Sequence, residues 1–143
     1  MKLTIKHLAA YLPYGVKMET NQFMFGWQER RLKLDCGHDF GMLLDLGKVR
    51  LYLRPLTGNE LTTPIYLNGR IFEPLAELEE MAHSDAERQF LEKLMDQPEK
   101  VIYAPYTIIQ QLLEWHFDIF NLIPAGLAIP LTTQPTQPNE KAN

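Results

Sequence analysis

Cysteine and histidine are the most reactive side chains in this sequence, and Cys36-Gly37-His38 brings one of each close together. A zinc site needs about four ligands, but the other three histidines lie in unrelated segments and no second ligand pair follows at finger spacing. A Cys–His nucleophilic pair needs a positioned base and an oxyanion site, which nearness in sequence does not supply. The favoured interpretation is that Cys36 packs as a small hydrophobe at a strand end and His38 is solvated in a loop.

His116 is the second candidate for acid–base chemistry, within Glu114-Trp115-His116-Phe117-Asp118. On a helix, the carboxylates at positions i−2 and i+2 point away from its face, whereas His116 itself falls on the apolar stripe. One hypothesis is a buried general base. The favoured interpretation is a histidine at the edge of the core that bonds one partner.

Aromatic residues occupy every second position of Phe23-x-Phe25-x-Trp27, and the basic residues Arg30, Arg31 and Lys33 follow shortly after. Exposed aromatic rings with cations nearby can stack the bases of single-stranded RNA or DNA. The same alternation is typical of a strand that faces the core, which is the favoured interpretation. Arg50 and Arg54 are expected on the solvent side of their own strand and could extend a basic face. The candidate interaction face therefore comprises Arg30, Arg31, Lys33, Arg50 and Arg54. Such a row is more often a solvated face or a set of partners for carboxylates.

No signature of a catalytic, metal or cofactor site is found in the sequence. The acidic residues of the second half contain no Asp-x-Asp-x-Asp-Gly calcium loop, so solvation is their default role and an anionic docking surface a minor one; they include Glu77, Glu79, Glu80, Asp85, Glu87 and Glu92. Walker A, Gly-x-Gly-x-x-Gly, Gly-x-Ser-x-Gly and His-Glu-x-x-His motifs are absent. We therefore predict a protein that is not an enzyme and has no cofactor.

Length and composition favour one intracellular domain. The 143 residues fit a single domain, and 45% hydrophobic with 10% aromatic residues can build a core. No apolar run reaches the roughly 18 residues of a membrane span, and Lys6-His7 interrupts any signal-peptide core. With a single cysteine, these features predict a cytoplasmic protein without a membrane partner.

The net charge of −4 is distributed unevenly. Residues 1–60 hold nine Lys/Arg and six Asp/Glu, a balance of +3, while residues 61–143 hold five and twelve, a balance of −7. An acidic protein is disfavoured as a duplex-DNA binder that depends on phosphate contacts. A local basic face in the first half stays open.

The first half predicts a short helix and a series of strands. Thr4 can cap a helix that places Ile5, Leu8, Ala9 and Leu12 on one face. The alternation around Val16 and Met18 predicts a strand, and 20–22 a polar turn. A hairpin of 23–28 and 31–36 is predicted to turn at 29–30, and a further strand to cover 49–54 before Pro55.

The second half predicts a hairpin and three helices. Asn68-Gly69 suits a type I′ turn, Pro74 suits the first turn of a helix, and Ser84 with Glu87 forms a capping box for the next. Residues 101–103 are predicted to be extended. A strongly apolar helix should follow Pro105, continue through Phe120, and lead by a tight turn into a buried strand that ends at Ile129.

Three blocks carry a resemblance to short uncharacterised proteins encoded in phage, prophage and mobile-element regions of gut bacteria. They are 8–15 (LAAYLPYG), 53–56 (LRPL) with the following Asn68-Gly69 and 72–75 (FEPL), and 112–120 (LLEWHFDIF) with the residues up to Ile129. The loop after LRPL differs from the Ser-Asp-Leu-Thr-type segment common in those proteins, and nothing carries over for 20–48. The resemblance implies a small accessory protein of a phage or integrated element and supplies no catalytic residue.

Together these patterns predict a single α+β domain over 1–130, with a short N-terminal helix, an antiparallel meander, helices packed on the sheet and a final short strand. Residues 131–143 are predicted to be a disordered, polar and Pro-rich tail. Three functions stay open. They are protein–protein interaction or self-association, single-stranded nucleic-acid binding through the aromatic and basic hairpin, and an enzyme or metal protein around Cys36, His38 or His116.

Overall fold

A computed structural model of the chain describes residues 3–22, 26–31 and 49–131. Its helices are α1 (Ile5–Tyr11), α2 (Gly58–Thr62), α3 (Pro74–Met81), α4 (Asp85–Asp96) and α5 (Tyr106–Glu114), with 3-10 helices at Leu12–Tyr14 and Pro98–Tyr103. Its strands are β1 (Lys17–Gln22), β2 (Gly26–Arg31), β3 (Val49–Leu53), β4 (Ile65–Leu67), β5 (Arg70–Phe72) and β6 (Ala128–Pro130). The predicted α+β class is confirmed.

The described residues group into two compact units. The sheet unit lies within residues 1–55 and 112–131, and the helical unit covers 56–111. The predicted domain bounds of 1–130 and the predicted disordered tail stay predictions. Leu131 is ordered by a backbone bond, since its N–H donates to the carbonyl of Leu53 at 2.8 Å.

Four strands form the sheet of the sheet unit, in the order β2-β1-β3-β6. β1 pairs antiparallel with both β2 and β3, and β3 pairs parallel with β6. The buried face carries side chains at every second position, because successive residues of a strand point to opposite faces. Those of β1 and β3 are Met18, Thr20, Val49, Leu51 and Leu53.

The predicted hairpin turn at residues 29–30 was wrong. β2 runs through both residues without a break and pairs with β1, so that Asn21 lies opposite Trp27 and Lys17 opposite Arg31. The predicted polar turn at 20–22 was also wrong, because these residues belong to β1. Polar residues there indicated a turn locally, but pairing with β2, and for Thr20 also with β3, makes them strand residues. The predicted partner strand at 32–36 lies outside the described residues.

The helix that was predicted to continue to Phe120 ends at Glu114. The chain closes there in a Schellman motif, in which the N–H of Phe117 donates to the carbonyl of Leu112 and that of His116 donates to the carbonyl of Leu113, both at 2.9 Å. His116 has the left-handed φ of +66° that this motif requires. Glycine usually occupies that position, so the sequence contained no recognisable stop. A final strand is confirmed as β6, but it ends at Pro130 instead of Ile129, and of its three residues only Ala128 is buried.

In the helical unit, the hairpin and helix-start predictions are confirmed. Asn68 and Gly69 have φ values of +52° and +80° between β4 and β5, as a type I′ turn requires. Pro74 begins α3, and the Ser84 side chain accepts a hydrogen bond from the N–H of Glu87 at the start of α4. Residues 101–103 are not extended, because they belong to a 3-10 helix.

α2 is the one helix of this unit that was predicted as a loop. The Thr57 side chain caps it by accepting from the N–H of Glu60 at 3.2 Å. A Cβ on Gly58 would lie 2.9 Å from the carbonyl oxygen of Met95. Only glycine therefore allows α2 to approach the end of α4 this closely.

Each unit buries its own apolar side chains. Those of the sheet unit come from α1, the sheet and the residue before β1, the last turn of α5 and the segment after it; they include Leu8, Tyr11, Val16, Leu51, Leu112, Trp115, Phe117 and Leu122. Those of the helical unit include Leu61, Ile65, Leu78, Leu91, Leu94, Val101 and Ile108. Leu8 and Tyr11 rather than Ile5 and Ala9 form the buried side of α1, since Ile5 is 56% exposed.

Candidate functional site: the outer sheet face and a buried polar cluster

The sheet face opposite the core carries charged and aromatic side chains from three adjacent strands. We call this surface the outer face, and its described members are Lys17, Glu19, Trp27, Glu29, Arg50 and Tyr52. The register of β1 with β2 and β3 brings these residues together from positions as distant as 17 and 52.

Glu19 organises the centre of the outer face. Its carboxylate forms an ion pair with Arg50, with 2.5 Å between Oε1 and Nη2, and accepts a hydrogen bond from the Tyr52 hydroxyl at 2.9 Å. The Glu19 side chain is 13% exposed, so these bonds lie in a partly dehydrated setting where they are stronger than in bulk water. Desolvation, followed by the bond to Glu19 and its negative charge, raises the pKa of Tyr52. Tyr52 therefore stays a neutral donor at ordinary pH.

Trp27 lies on the outer face instead of in the core, which corrects the favoured interpretation of the aromatic stretch. Its side chain is 40% exposed. The Arg50 guanidinium carbon lies 3.7 Å from the centroid of the Trp27 ring, a cation–π distance. Phe23 and Phe25 lie outside the described residues, so the orientation predicted for them is untested.

The described charges of the outer face balance. Lys17 forms an ion pair with Glu29 at 3.0 Å and lies 5.2 Å from the centroid of the Tyr52 ring, and Arg50 pairs with Glu19. Two cations and two carboxylates thus alternate around two aromatic rings. The attraction that such a surface would exert on a polyanion is largely offset by its own carboxylates.

Arg54 is buried, which corrects its predicted place on the solvent side. It is 7% exposed and its Nε donates to the carbonyl of Trp115 at 3.0 Å. The backbone also joins these segments, because the Arg54 N–H donates to the His116 carbonyl at 2.7 Å and the Asp118 N–H to the Arg54 carbonyl at 2.9 Å. The segment after α5 therefore covers the position that alternation alone would leave in water.

Tyr11 and Asp118 complete what we call the buried polar cluster, with Arg54 and His116. The Tyr11 hydroxyl donates to the Phe117 carbonyl at 2.5 Å and accepts from the Ile119 N–H at 3.3 Å. Burial raises the pKa of Tyr11 above its ordinary value. The Asp118 carboxylate accepts from two successive backbone N–H groups, of Leu122 and Ile123, each at 2.8 Å. Residues 115–123 form neither a helix nor a strand, and these side-chain bonds satisfy backbone groups that regular secondary structure would otherwise pair.

His116 occupies the position expected of a core-edge histidine. It is 9% exposed, and its Nε2 lies 3.0 Å from the carbonyl oxygen of Tyr14. A carbonyl only accepts hydrogen bonds, so Nε2 carries the proton. This bond ties the αL residue that ends α5 to the 3-10 helix after α1.

His7 lies at the border of the cluster, with its ring centroid 5.0 Å from that of Phe120. Its Nδ1 accepts from the N–H of Thr4 at 3.1 Å, which caps α1. Desolvation and the nearby charge of Lys6 lower the pKa of His7, while Asp118 opposes that change. His7 is thus neutral near pH 7.

The predicted interaction face is divided by the structure. Arg50 lies on the outer face and Arg54 in the polar cluster, while Arg30 and Arg31 stand in β2 opposite Met18 and Lys17. Lys33 lies outside the described residues, as do Cys36 and His38. Sequence reasoning missed Glu19 and Tyr52, since the polar alternation in β1 and β3 points to an outer face only once the two strands are known to pair.

Two absences hold for residues 3–22, 26–31 and 49–131, the part of the chain that the structure describes. No group of three or more His, Cys, Asp or Glu side chains there could hold a metal ion. No helix in those ranges has the length and apolar character that crossing a membrane requires.

No protein-family model matches this chain, and comparisons with curated proteins and with solved structures also give no match.

Proposed function

We propose that this chain is a non-enzymatic accessory protein that binds another protein through the outer face. The observation that carries the proposal is an exposed Trp27 stacked on Arg50 within a surface whose described charges balance. Tryptophan, tyrosine and arginine dominate the binding energy of protein interfaces, and all three occur here side by side. Glu19 holds Arg50 and Tyr52 in place before any partner arrives, which lowers the entropy cost of binding.

The balance of charge favours a partner with a mixed-charge protein surface. Glu19 and Glu29 alternate with Arg50 and Lys17, so a complementary surface would present both signs around an apolar or aromatic centre. Complementary charges of this kind determine specificity and register more than affinity. A uniformly anionic partner would meet two carboxylates at short range.

The genomic setting is part of the same proposal. The three sequence blocks that resemble proteins of phage, prophage and mobile-element regions support a role as an accessory protein of such an element. Sequencing the genes beside this one in its host tests the setting, and neighbours unrelated to any mobile element would contradict it.

Affinity capture with three variants of the full chain tests the interaction. Wild-type protein, Trp27→Ala and Tyr106→Ala are compared for the proteins that they retain from the host. Tyr106 is the matched control, because it is an aromatic residue that is 73% exposed in the helical unit. We expect one partner to be retained by wild type and Tyr106→Ala and lost by Trp27→Ala. Equal retention by all three would refute a role for the outer face.

Tryptophan fluorescence provides a direct second measurement. The chain has two tryptophans, and Trp115 is only 4% exposed, so quenching by iodide reports chiefly on Trp27. In the reconstituted complex with the captured partner, Trp27 should become protected from iodide. Unchanged quenching would show that the partner binds elsewhere.

Single-stranded nucleic acid is the second candidate, and it is favoured by the exposure of the Trp27 ring beside Arg50. Bases stack on such exposed rings with little sequence preference. Titration with an oligothymidylate at low salt would then quench Trp27 fluorescence, and added salt would reverse the effect. A lack of quenching at low salt would reject this alternative and leave the protein interaction as it stands.

A further inference from the structure

A cleft of about 450 Å³ lies in the helical unit, where α4 ends and the 3-10 helix Pro98–Tyr103 begins. Its lining residues are Phe90, Lys93, Asp96, Gln97, Lys100 and Tyr103. The volume falls within the roughly 300–1,000 Å³ that is common for small-molecule sites. The cleft can therefore hold a compact organic ligand.

Helical periodicity brings the lining residues to one place. Lys93 and Gln97 are four residues apart, so they share one face at the end of α4. Lys100 and Tyr103 are three residues apart, which aligns them on a 3-10 helix with three residues per turn. Gln97 joins the two walls, because its N–H donates to the Lys93 carbonyl at 2.9 Å and its carbonyl accepts from the Lys100 N–H at 3.0 Å. These backbone bonds fix the junction between the two walls of the cleft.

The charges around the cleft differ from those of the rest of the unit. Residues 56–111 contain ten Asp/Glu and four Lys/Arg. Two of these cations are paired, Arg70 with Glu77 at 2.9 Å and Arg88 with Asp85 at 3.3 Å. The other two, Lys93 and Lys100, form no ion pair with any described residue, and both line the cleft. Both cations of residues 56–111 that lie outside the described ion pairs therefore line the same cleft.

We infer that this cleft binds a small organic monoanion with a flat apolar body, such as an aromatic carboxylate. Phe90 and Tyr103 offer aromatic surface for the apolar body. Lys93 and Lys100 bind the anionic group by charge-assisted hydrogen bonds. Asp96 reduces the charge of the lining to +1, which matches a monoanion better than a phosphate dianion.

Nuclear magnetic resonance of the ¹⁵N-labelled full chain tests the site with 2-naphthoate and its neutral isostere 2-naphthamide. We expect saturable shifts of the backbone amides of Lys93, Gln97 and Tyr103 with naphthoate. The amide should bind about tenfold more weakly, because it lacks the charge-assisted bonds, and added salt should weaken only naphthoate. Equal affinity for the two compounds, or shifts confined to other residues, would overturn the inference.

Two double variants distinguish binding at the cleft from a general effect of the positive charge of the unit. Lys93→Ala with Lys100→Ala should weaken naphthoate binding about tenfold or more, whereas Arg70→Ala with Arg88→Ala removes the same charge elsewhere in the unit and should change it less than about twofold. All four side chains are exposed, so both double variants should fold. Equal weakening by the two double variants would overturn the assignment of the site. Tyr103→Ala, at a residue that is 72% exposed, should also weaken binding, and unchanged affinity would contradict the aromatic wall.

Discussion

Arg50 and Arg54 follow the same alternation along one strand, yet they belong to two different regions of the sheet unit. Arg50 lies on the outer face, where it pairs with Glu19 and stacks on Trp27 in partial contact with water. Arg54 lies in the buried polar cluster, where it bonds the Trp115 carbonyl beneath a segment more than sixty residues later in the chain. Both arginines have the same place in the strand alternation. The difference is that a distant segment of the chain covers Arg54, which therefore stabilises the fold, whereas no such segment among the described residues buries Arg50, which stays accessible to a partner.

The two regions also differ in what their hydrogen bonds achieve. On the outer face, side chains bond mainly to one another and form a preorganised surface. Removing one of these side chains therefore does not break a described hydrogen bond to the backbone. In the polar cluster, side chains bond mainly to backbone groups of residues 115–123. Removing one of these side chains leaves a buried backbone group without its partner, which costs more than the bond itself contributes.

The largest expected effect comes from Arg54→Ala. This change removes the charged Nε donor to the buried Trp115 carbonyl, so we expect the free energy of unfolding to fall by about 2–3 kcal/mol. Urea denaturation, followed by far-ultraviolet circular dichroism, measures the loss. Arg50→Ala is the matched control and should cost less than about 1 kcal/mol, because its ion pair is partly exposed. Equal losses would remove the distinction between the two regions.

Tyr11→Phe should have the next largest effect. It keeps the ring that packs edge-on against Phe120, but it removes the bonds to the Phe117 carbonyl and the Ile119 N–H, so we expect a loss of about 1–2 kcal/mol. The difference should depend on pH. The pKa of Tyr11 is raised in the folded state, so the unfolded chain ionises first and the wild type loses stability as pH rises through the ordinary value of 10.0.

Because Tyr11→Phe lacks that ionisation, its deficit relative to wild type should shrink between about pH 9 and about pH 11. Parallel urea titrations across this range measure it, since the other tyrosines titrate in both proteins. A deficit that stays constant would show that the folded Tyr11 hydroxyl ionises as readily as a free one.

The smallest effect is expected from His7, at the border of the polar cluster. Its pKa is lowered in the folded state, so the unfolded chain takes up a proton first and stability falls as pH drops through the ordinary value of 6.5. His7→Gln keeps a side-chain acceptor for the cap of α1 but cannot titrate. Stability measured between about pH 7 and about pH 5 should therefore fall less steeply in His7→Gln than in wild type. Identical slopes would mean that His7 titrates alike in both states.

Local signals in the sequence were sufficient where the structure is local. The Asn68-Gly69 turn, the Ser84 cap of α4, the Pro74 start of α3 and the alternation of β3 were all predicted, because each depends on neighbouring residues. The end of α5 was not predicted, because a histidine occupies the αL position and its ring is held by the carbonyl of Tyr14. The helix therefore ends without the glycine that usually marks such an end in a sequence, and a hydrogen bond to a residue about a hundred positions earlier holds the histidine there.

The candidate outer face was only partly visible in the sequence. Arg50 and Trp27 were recognised as basic and aromatic residues that could bind a partner, but the sequence placed Trp27 in the core and the hairpin turn inside β2. Periodicity shows that a strand has two faces, and it does not say which face meets the core, since that depends on pairing with other strands. The pairing of β1 between β2 and β3 placed Glu19 next to Arg50 and Tyr52.

What the sequence determined by itself is the α+β class, most element starts and an uneven charge, because these depend on local propensity and composition. What only the tertiary structure decided is the assignment of similar residues to different roles. Arg54 entered the polar cluster because the segment after α5 bonds its backbone, and Arg50 stayed on the outer face beside Trp27. Burial depends on contacts between distant segments, and the free energy of a charged side chain changes most with burial.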